Sequence, residues 1–439
     1  MAKSAQQSKK LVIPENEILA FAIDHETPVY LYDEALIRSI CKKLKASFNW
    51  APGFKNYFAV KATPNPSILE ILKDEGFGVD CSSMAELMLA ELVGFSGNDI
   101  FFTSNNTPLD EYTKAKGLGA IINLDDVSHV EFIHETIGLP DLLCFRYNPG
   151  RSRTGNVIIG DPENSKFGMT KNQIFAAIEK SLNLGVKKFA LHTMIISNCL
   201  NESEIFANAK MMFDLVVEIF EKTGVNVETV NCGGGFGIPY RPEDRDFDLD
   251  TLSRNMQEYF KGLLTRDGVK PFNIVFECGR YITGPAGMLV TRILHLKKSY
   301  KNFIGVDANM ANLMRPALYN SYHHIVHIKD PNYGIINSKL KRSLSEQSQD
   351  GVYDVVGSLC ENNDKLAIDR FIGHNVEIGD LLVILDAGAH GHCMGFNYNG
   401  KLRSAEYLKT SSSSGSLIEI RRRETLNDYF STINYKCSK

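Results

Sequence analysis

A lysine at the end of an apolar run is the first candidate for chemistry in this 439-residue chain. The run Asn56-Tyr57-Phe58-Ala59-Val60 is typical of a strand, and Lys61 terminates it. An amine at that place would point into a pocket walled by apolar side chains, where desolvation lowers the pKa of a lysine and frees it as a nucleophile. The simpler alternative is a salt-bridged lysine at a strand terminus. Taken alone, Lys61 favours the simpler alternative.

Two other apolar runs end on groups that could hold an anion and a ring nitrogen. One leads into Gly233-Gly234-Gly235-Phe236-Gly237, where backbone N–H groups could converge on a phosphate. The other ends at Glu277-Cys278-Gly279-Arg280, where the Glu277 carboxylate could keep a heterocyclic nitrogen protonated and Gly279 could add phosphate contacts. A tight turn without a ligand and a structural Glu277–Arg280 ion pair are the competing interpretations.

The three groups together specify a demanding ligand. Pyridoxal phosphate needs an amine for its aldehyde, an anion site for its phosphate and a partner for its pyridine nitrogen. The combination is far more specific than any of its parts, so the sequence predicts a pyridoxal phosphate site.

A repeating pattern predicts the elements that position these groups. Most of the gaps between the apolar runs hold a helix-like stretch, and each run ends on a polar residue or a glycine. The eight runs are 57–61, 78–80, 100–105, 120–125, 142–146, 188–192, 227–233 and 273–277. This alternation is typical of a parallel β–α series. Eight such strands most simply close into a (β/α)8 barrel of the α/β class, whose chemistry lies at the C-terminal strand ends.

The chain is longer than one barrel needs, which predicts a second domain. Strand-like runs continue after the barrel, and another lies far upstream of it; they are 27–32, 288–295, 354–356, 380–386 and 416–421. We therefore expect the barrel over residues 36–283 and an all-β domain, a β-sandwich or β-barrel, built from both chain termini, 1–35 and 284–439. Two segments rich in Ser or Gln, 341–351 and 409–415, are predicted to be surface loops.

Composition excludes several classes of protein. A formal net charge of −4 with 44% hydrophobic and 23% charged residues is typical of an ordinary globular protein and gives no nucleic-acid surface. No apolar run approaches the length of a membrane span, and the first residues lack the apolar stretch of a secretory signal. Nine scattered cysteines predict reduced thiols and a cytoplasmic location. The histidines show no metal-ligand spacing, so no metal is expected.

Nine segments in sequence order resemble the fold-type III pyridoxal-phosphate decarboxylases, most closely the diaminopimelate decarboxylases. The resemblance runs from about Thr27 to Asp428. The segments that carry it are 57–62, 79–86, 165–168, 232–237, 277–280, 315–319, 356–361, 386–391 and 421–425. It implies the decarboxylation of meso-diaminopimelate to L-lysine and carbon dioxide.

The resemblance also implies roles for matching residues in cofactor binding. Lys61 would bind the cofactor covalently, and Glu277 would hold its pyridine nitrogen. The phosphate would be bound by Gly233, Gly234, Gly235, Gly237, Gly279 and Arg280. Further cofactor contacts are implied for Asp80, His192, Met194, Ser197 and His390.

The substrate is expected to be held by charges of both signs. Its distal end would contact Arg280, Arg315, Tyr319 and Glu361, and a further substrate contact is implied for His390. The resemblance implies that Cys360 donates a proton and that Glu361 recognises the distal amine of the substrate. Both residues would act in the site of the partner subunit, which implies a homodimer with shared sites. A cationic clamp plus an acid favours diaminopimelate over simple diamines, because a desolvated charge left unpaired is costly.

Three positions depart from the family pattern. Met194 and Ile196 stand where a second histidine and a glycine are usual, and His390 replaces a tyrosine. A methionine can cover the face of the cofactor ring through its polarizable sulfur, but it cannot donate a proton. The arginine-containing loop 150–155 is also unusual. These departures favour an alternative substrate, another amino acid or a carrier-linked one.

Two further alternatives change the class of protein. A catalytically silent homologue could regulate an active partner, but it would have no chemical need for Lys61, Glu277 and Cys360 together. A barrel lyase that uses Lys61 without pyridoxal phosphate would leave Glu277 and the Cys360-Glu361 pair without a role.

Overall fold

A computed structural model describes residues 9–153, 160–331, 350–412 and 415–434 of the chain. The chain divides into two compact units. One comprises Arg38–Pro239 and Arg245–Ile282, and the other comprises the residues up to Ile37, the segment Tyr240–Asp244 and the residues from Thr283 onward. Parts of three predicted loops, residues 154–155, 341–349 and 413–414, lie outside the described residues.

The first unit is a closed barrel of eight parallel strands. Strands are numbered along the whole chain, and the first strand belongs to the other unit, so the barrel begins with β2. The barrel strands are β2 (Lys55–Ala59), β3 (Gly78–Cys81), β4 (Ile100–Thr103), β5 (Ile121–Leu124), β6 (Leu142–Arg146), β7 (Lys188–His192), β8 (Thr229–Asn231) and β9 (Asn273–Phe276). Each strand pairs with the next along the chain, and β9 pairs with β2 to close the barrel. The predicted (β/α)8 barrel is confirmed.

Helices alternate with the barrel strands. They are α2 (Glu34–Ser47), α3 (Pro66–Asp74), α4 (Met84–Val93), α5 (Leu109–Gly117), α6 (Ser128–Thr136), α7 (Lys171–Asn183), α8 (Glu202–Thr223), α9 (Leu249–Leu263) and the short α10 (Arg280–Thr283). Local sequence sets their ends: the Asn201 side chain caps the first turn of α8, and Gly224 ends that helix at a φ of 74°. Residues Ile205, Ala209 and Met212 of α8 are buried at helical spacing.

Side chains fill the interior of the barrel. A buried cluster takes one residue each from six strands, with one half-buried neighbour, Leu142; its members are Tyr57, Phe101, Ile121, Cys144, Ala190 and Val275. The rings of Tyr57 and Phe101 meet edge to face with centroids 4.6 Å apart. Because the interior is a packed core, the strand ends are the part of the barrel that can hold a ligand.

The second unit is mostly sheet. Its strands are β1 (Val29–Asp33), β10 (Gly287–Lys298), β11 (Asn302–Val306), β12 (Ile325–Ile328), β13 (Val352–Val356), β14 (Lys365–Phe371), β15 (Leu381–Ile384), β16 (Ala405–Lys409) and β17 (Leu417–Arg421). Three helices accompany them, α1 (Glu15–Asp24), α11 (Arg315–Tyr319) and α12 (Leu426–Phe430). The expected β domain is therefore present, but it is mostly and not entirely β, because it also contains these three helices.

Both chain ends build this sheet. The strand order is β14-β13-β11-β10-β1-β16-β17, and β15 pairs with β10 and β12. Val29 in β1 lies opposite Val290 of the antiparallel β10 and opposite Ala405 of the parallel β16. Because β1 lies between two later strands, the N-terminal segment is an integral part of the sheet. Among the residues that the structure describes, no helix has the length and apolarity needed to cross a membrane.

Candidate active site

Lys61 lies on a turn rather than on a strand. The strand β2 ends at Ala59, and Val60–Ala62 form a 3-10 turn. The Lys61 side chain is exposed, so the prediction that apolar walls desolvate its amine is wrong. Its charge instead acts on nearby carboxylates, among them Asp80 and Glu277. The amine is thus accessible and electrostatically held by acids.

Gly279 packs beneath the Lys61 turn. A Cβ atom added at Gly279 would lie 2.8 Å from the Cβ of Ala62 and 3.3 Å from the Cβ of Ala59. A side chain at position 279 would therefore push the turn away from the end of β9. Arg280, which follows, is buried and begins α10.

Glu277 is buried just after β9, and both of its carboxylate oxygens have partners. Asn231 Nδ2 donates to Oε1 at 2.7 Å, and His192 Nε2 lies 3.2 Å from Oε2. His192 is fully buried, and its Nδ1 accepts a hydrogen bond from Asn123 Nδ2 at 2.9 Å. With the amide in this orientation, the imidazole proton lies on Nε2, so His192 donates to Glu277.

Two buried carboxylates near Lys61 differ in their preferred charge. Burial raises the pKa of Asp80, and repulsion by Glu277 raises it further. Burial alone would also raise the pKa of Glu277, but His192, Lys61 and Arg146 together hold it below its usual value. Glu277 therefore keeps the charge, and Asp80 is the member of the pair that takes a proton. One oxygen of Asp80, Oδ1, has no hydrogen-bond partner among the described residues.

The sequence analysis missed three polar residues around Glu277. Asn123 lies in β5, Asn231 ends β8 and Arg146 ends β6. Arg146 is buried, and its Nη1 lies 3.6 Å from Asp125 Oδ1. Its guanidinium carbon lies 4.3 Å from the ring centroid of Phe167. The position of Arg146 and Asn231 at the last residue of a strand is the signal that could have found them.

The glycine loop after β8 is closely approached by neighbouring backbone. A Cβ atom at Gly233 would lie 2.2 Å from the carbonyl oxygen of Thr193, and one at Gly234 would lie 2.6 Å from that of Glu277. A Cβ atom at Gly235, whose φ is +94°, would lie 2.5 Å from the carbonyl oxygen of Ile196, and one at Gly237 would lie 2.7 Å from the backbone of Cys199. These contacts require glycine whether or not a phosphate binds. Phosphate binding by the loop therefore remains a prediction.

The segment after β7 runs alongside this loop and is bonded to it. The Cys199 N–H donates to the Gly235 carbonyl at 2.8 Å, and the Gly237 N–H donates to the Cys199 carbonyl at 2.8 Å. Met194 belongs to the same segment, and its sulfur accepts the N–H of Gly234 at 3.3 Å. Ser197, which lies between Met194 and Cys199 in the sequence, is half-buried. The segment that departs from the family pattern thus directly contacts the candidate phosphate loop.

The predicted substrate arginine of the second unit is buried. Arg315 begins α11, and its guanidinium carbon lies 5.4 Å from the ring centroid of Tyr240 and 5.9 Å from that of Tyr319. Its Nη2 donates to Ser321 Oγ at 3.3 Å. His390 is half-buried, with a φ of 53°. The structure therefore brings Arg315 and Tyr319 together.

Cys360 and Glu361 lie on an ordered turn with exposed side chains. Asp364 accepts hydrogen bonds from the N–H of Leu359 at 2.7 Å and from that of Met310 at 2.6 Å. The Cys360 N–H donates to Asn399 Oδ1 at 2.7 Å. The backbone of the turn is therefore fixed although both side chains face outward.

The arginines of the unusual loop after β6 pair with acids of the barrel. Arg151 is highly exposed and lies 2.6 Å from Glu163. Arg153 lies 3.5 Å from the Glu204 carboxylate and donates to the Glu204 carbonyl at 3.0 Å. These contacts explain both arginines as surface ion pairs, without a substrate.

The residues at the barrel strand ends fit pyridoxal phosphate. Lys61 offers an accessible amine, and the ionised Glu277 is an acceptor suited to a protonated pyridine nitrogen. The loop after β8 carries backbone N–H groups on four glycines, 233–235 and 237, where an added Cβ atom would clash with neighbouring backbone. The donor and acceptor types match the three parts of this cofactor.

Comparison with known proteins identifies the family. The profile described as "Pyridoxal-dependent decarboxylase, pyridoxal binding domain" matches residues 35–284. Protein TabA of Pseudomonas amygdali pv. tabaci is 38% identical over 94% of this chain and 92% of its own. Diaminopimelate decarboxylase of Methanothermobacter thermautotrophicus is 34% identical over 95% and 94%.

Solved structures agree. The diaminopimelate decarboxylase of M. jannaschii superimposes with a TM-score of 0.84 at 28% identity, over 95% of this chain and 94% of that one. A second structure of that enzyme, in complex with L-lysine, has a TM-score of 0.83. The chain therefore belongs to the pyridoxal-dependent decarboxylases, a family of enzymes that use pyridoxal phosphate to decarboxylate amino acids.

Proposed function

We propose that this decarboxylase acts on meso-diaminopimelate and releases L-lysine and carbon dioxide. The observation that carries the proposal is the 34% identity, over nearly the whole of both chains, to a relative named diaminopimelate decarboxylase. The chain also has charged groups of both signs for a substrate whose far end is zwitterionic, namely Arg280, Arg315 and Glu361. A simple diamine has no carboxylate at its far end with which to bind these arginines.

The barrel residues would hold and polarise the cofactor. Pyridoxal phosphate supplies an electron sink for the electron pair left behind when carbon dioxide departs. Lys61 would hold its aldehyde carbon, which borohydride reduction followed by peptide mapping tests. Glu277, kept ionised by His192, would hold the proton on the ring nitrogen. Arg146 adds to the field that keeps Glu277 charged.

We also propose that two chains form a homodimer and that Cys360 and Glu361 complete the partner's site. Their side chains are exposed, while Asp364 and Asn399 fix the backbone that carries them. A turn held this firmly with outward-facing functional groups is suited to act on another chain. There Cys360 would return a proton to the α-carbon, and Glu361 would pair with the distal ammonium of the substrate.

A second candidate is decarboxylation of another amino acid or of a carrier-linked one. The relative at 38% identity, Protein TabA, has a name that states no substrate. Met194 contacts the glycine loop through its sulfur, and Ile196 and His390 also depart from the family pattern.

A cytoplasmic location remains a prediction of the sequence, since it rests on the cysteine pattern.

Carbon dioxide release from a substrate panel tests the proposal. The purified holoenzyme is assayed with meso-diaminopimelate, lysine, ornithine, arginine and glutamate. We expect kcat/KM for diaminopimelate to exceed that for each of the others by about 100-fold or more, because only diaminopimelate carries both a carboxylate for the arginines and an ammonium for Glu361 at its far end. Faster turnover of another amino acid would favour the second candidate. No turnover of any of the five by cofactor-loaded protein would contradict diaminopimelate as the substrate.

A further inference from the structure

The glycine loop offers its backbone donors to different acceptors. The Gly233 N–H donates to Asn231 Oδ1 at 2.9 Å, and the Gly237 N–H donates to a carbonyl oxygen. The Gly234 N–H donates to the sulfur of Met194 at 3.3 Å. A thioether is a weak acceptor on a flexible side chain, whereas the other two acceptors are oxygens.

Of these three donors, the Gly234 N–H is therefore the one that an anion can capture most easily. A phosphate oxygen accepts a much stronger hydrogen bond than a thioether does, because the acceptor carries charge. The loop itself does not depend on the sulfur, since Cys199 binds Gly235 and Gly237 through backbone bonds and the Glu277 N–H donates to the Gly233 carbonyl at 2.8 Å. Loss of the sulfur contact would leave the loop in place.

We propose that Met194 competes with the phosphate of the cofactor for the N–H of Gly234. Its sulfur covers the Gly234 N–H, and the phosphate must replace the sulfur to gain this donor. Met194 therefore weakens binding of the phosphate group without acting on the ring. The proposal rests on the cofactor of the family and not on the proposed substrate, so failure of one leaves the other standing.

The test compares two ligands that differ only in the phosphate. Apoprotein is titrated with pyridoxal phosphate and with pyridoxal, and the dissociation constants are measured by absorbance. In Met194→Leu, which removes the acceptor but keeps an apolar side chain, pyridoxal phosphate is expected to bind roughly two- to fivefold tighter, the range of one weak hydrogen bond. Binding of pyridoxal should not change.

A second variant reverses the expected shift. Met194→Gln places an amide oxygen, a stronger acceptor than sulfur, within reach of Gly234, so pyridoxal phosphate should bind more weakly relative to pyridoxal. Met212→Leu is the matched control, because Met212 is fully buried on α8 and, among the residues that the structure describes, accepts no hydrogen bond from the glycine loop. It should leave both affinities unchanged.

The ratio of the two affinities decides the outcome. If Met194 covered the ring face instead, the Leu variant would change the binding of both ligands by the same factor, and the proposal would be overturned. An unchanged ratio in both Met194 variants would also overturn it. Weaker pyridoxal phosphate binding in Met194→Leu would show that the sulfur supports the loop rather than competing for its donor.

Discussion

Two buried carboxylates at the barrel strand ends are held in different protonation states. His192 donates to Glu277, and the charges of Lys61 and Arg146 also favour the ionised form of Glu277. Asp80 is equally buried and is repelled by Glu277, so a proton lowers its energy. This difference in charge matters chemically, because an ionised carboxylate stabilises a proton on a pyridine nitrogen, whereas a protonated carboxylic acid does not.

Isosteric amides test this division of charge. Asp80→Asn resembles the protonated acid that the structure favours, so kcat should fall by no more than about threefold. Glu277→Gln removes the charge that holds the ring-nitrogen proton, and kcat should fall by roughly 100-fold or more. Steady-state kinetics with saturating cofactor measure both. Equal losses in the two variants would mean that the carboxylates share their roles.

The strand-end rule located some of these residues from the sequence and not others. Lys61 and Glu277 were selected because reactive side chains follow apolar runs. Asn123 and Asn231 were missed, since a neutral amide in a strand has no chemistry of its own and acquires importance only through His192 and Glu277. The exposure of Lys61 depends on where the turn places it, which no local pattern encodes.

At the level of elements, apolar runs predicted all eight barrel strands but not their ends. The first run continues through Val60, whereas its pairing with β3 stops at Ala59, opposite Asp80. Val60 is still fully buried, but within the 3-10 turn. Burial and strand pairing thus end at different residues, and the sequence reports only burial.

The N-terminal segment is attached to the sheet unit through an unusual acid. Lys9 forms an ion pair with Asp386, which lies just after β15 and has a φ of 56°. Burial raises the pKa of Asp386 to about 6, against the opposing charge of Lys9. Since the pKa in the unfolded chain is lower, the folded state binds more protons, and stability falls as the pH rises from about 4 to about 6.

The variant Asp386→Asn should remove this loss of stability. Asparagine also tolerates the left-handed backbone at this position. The variant should match the parent near pH 4 and exceed its free energy of unfolding by up to about 3 kcal/mol at pH 7, from the linkage of the pKa shift to stability. Urea denaturation at both pH values measures the difference. Lys9→Met keeps the acid and loses its partner, so it should steepen the pH dependence; a difference independent of pH would contradict the assignment.

For the molecule as a whole, the sequence predicted two domains because its length exceeds one barrel, and it placed both chain ends in the second. The position of β1 between β10 and β16 confirms that shared origin. The sequence of one chain does not reveal which groups of another molecule would surround its exposed side chains. In the proposed homodimer, the exposed side chains of Cys360 and Glu361 would find their partners in the site of the second chain.

Mixing two inactive variants tests whether the site is shared between chains. Lys61→Ala lacks the proposed cofactor lysine, and Cys360→Ala lacks the proposed proton donor, so a homodimer of either variant should have little activity. After exchange, half of the dimers are mixed, and each mixed dimer has one intact site, composed of Lys61 from one chain and Cys360 from the other. Activity should therefore recover to roughly a quarter of that of the parent.

Controls separate a shared site from simpler explanations. Subunit exchange is followed by mass spectrometry of a tagged chain, so that absent recovery cannot be attributed to absent mixing. The double variant Lys61→Ala/Cys360→Ala, mixed with the parent, gives mixed dimers in which a site is complete only if Lys61 and Cys360 act within one chain. With a shared site, a mixed dimer of parent and double variant has no intact site, because each of its sites lacks one of the two groups. Recovery in the first mixture together with loss in the second is the expected pair of results, and the opposite pair would place Cys360 in the site of its own chain.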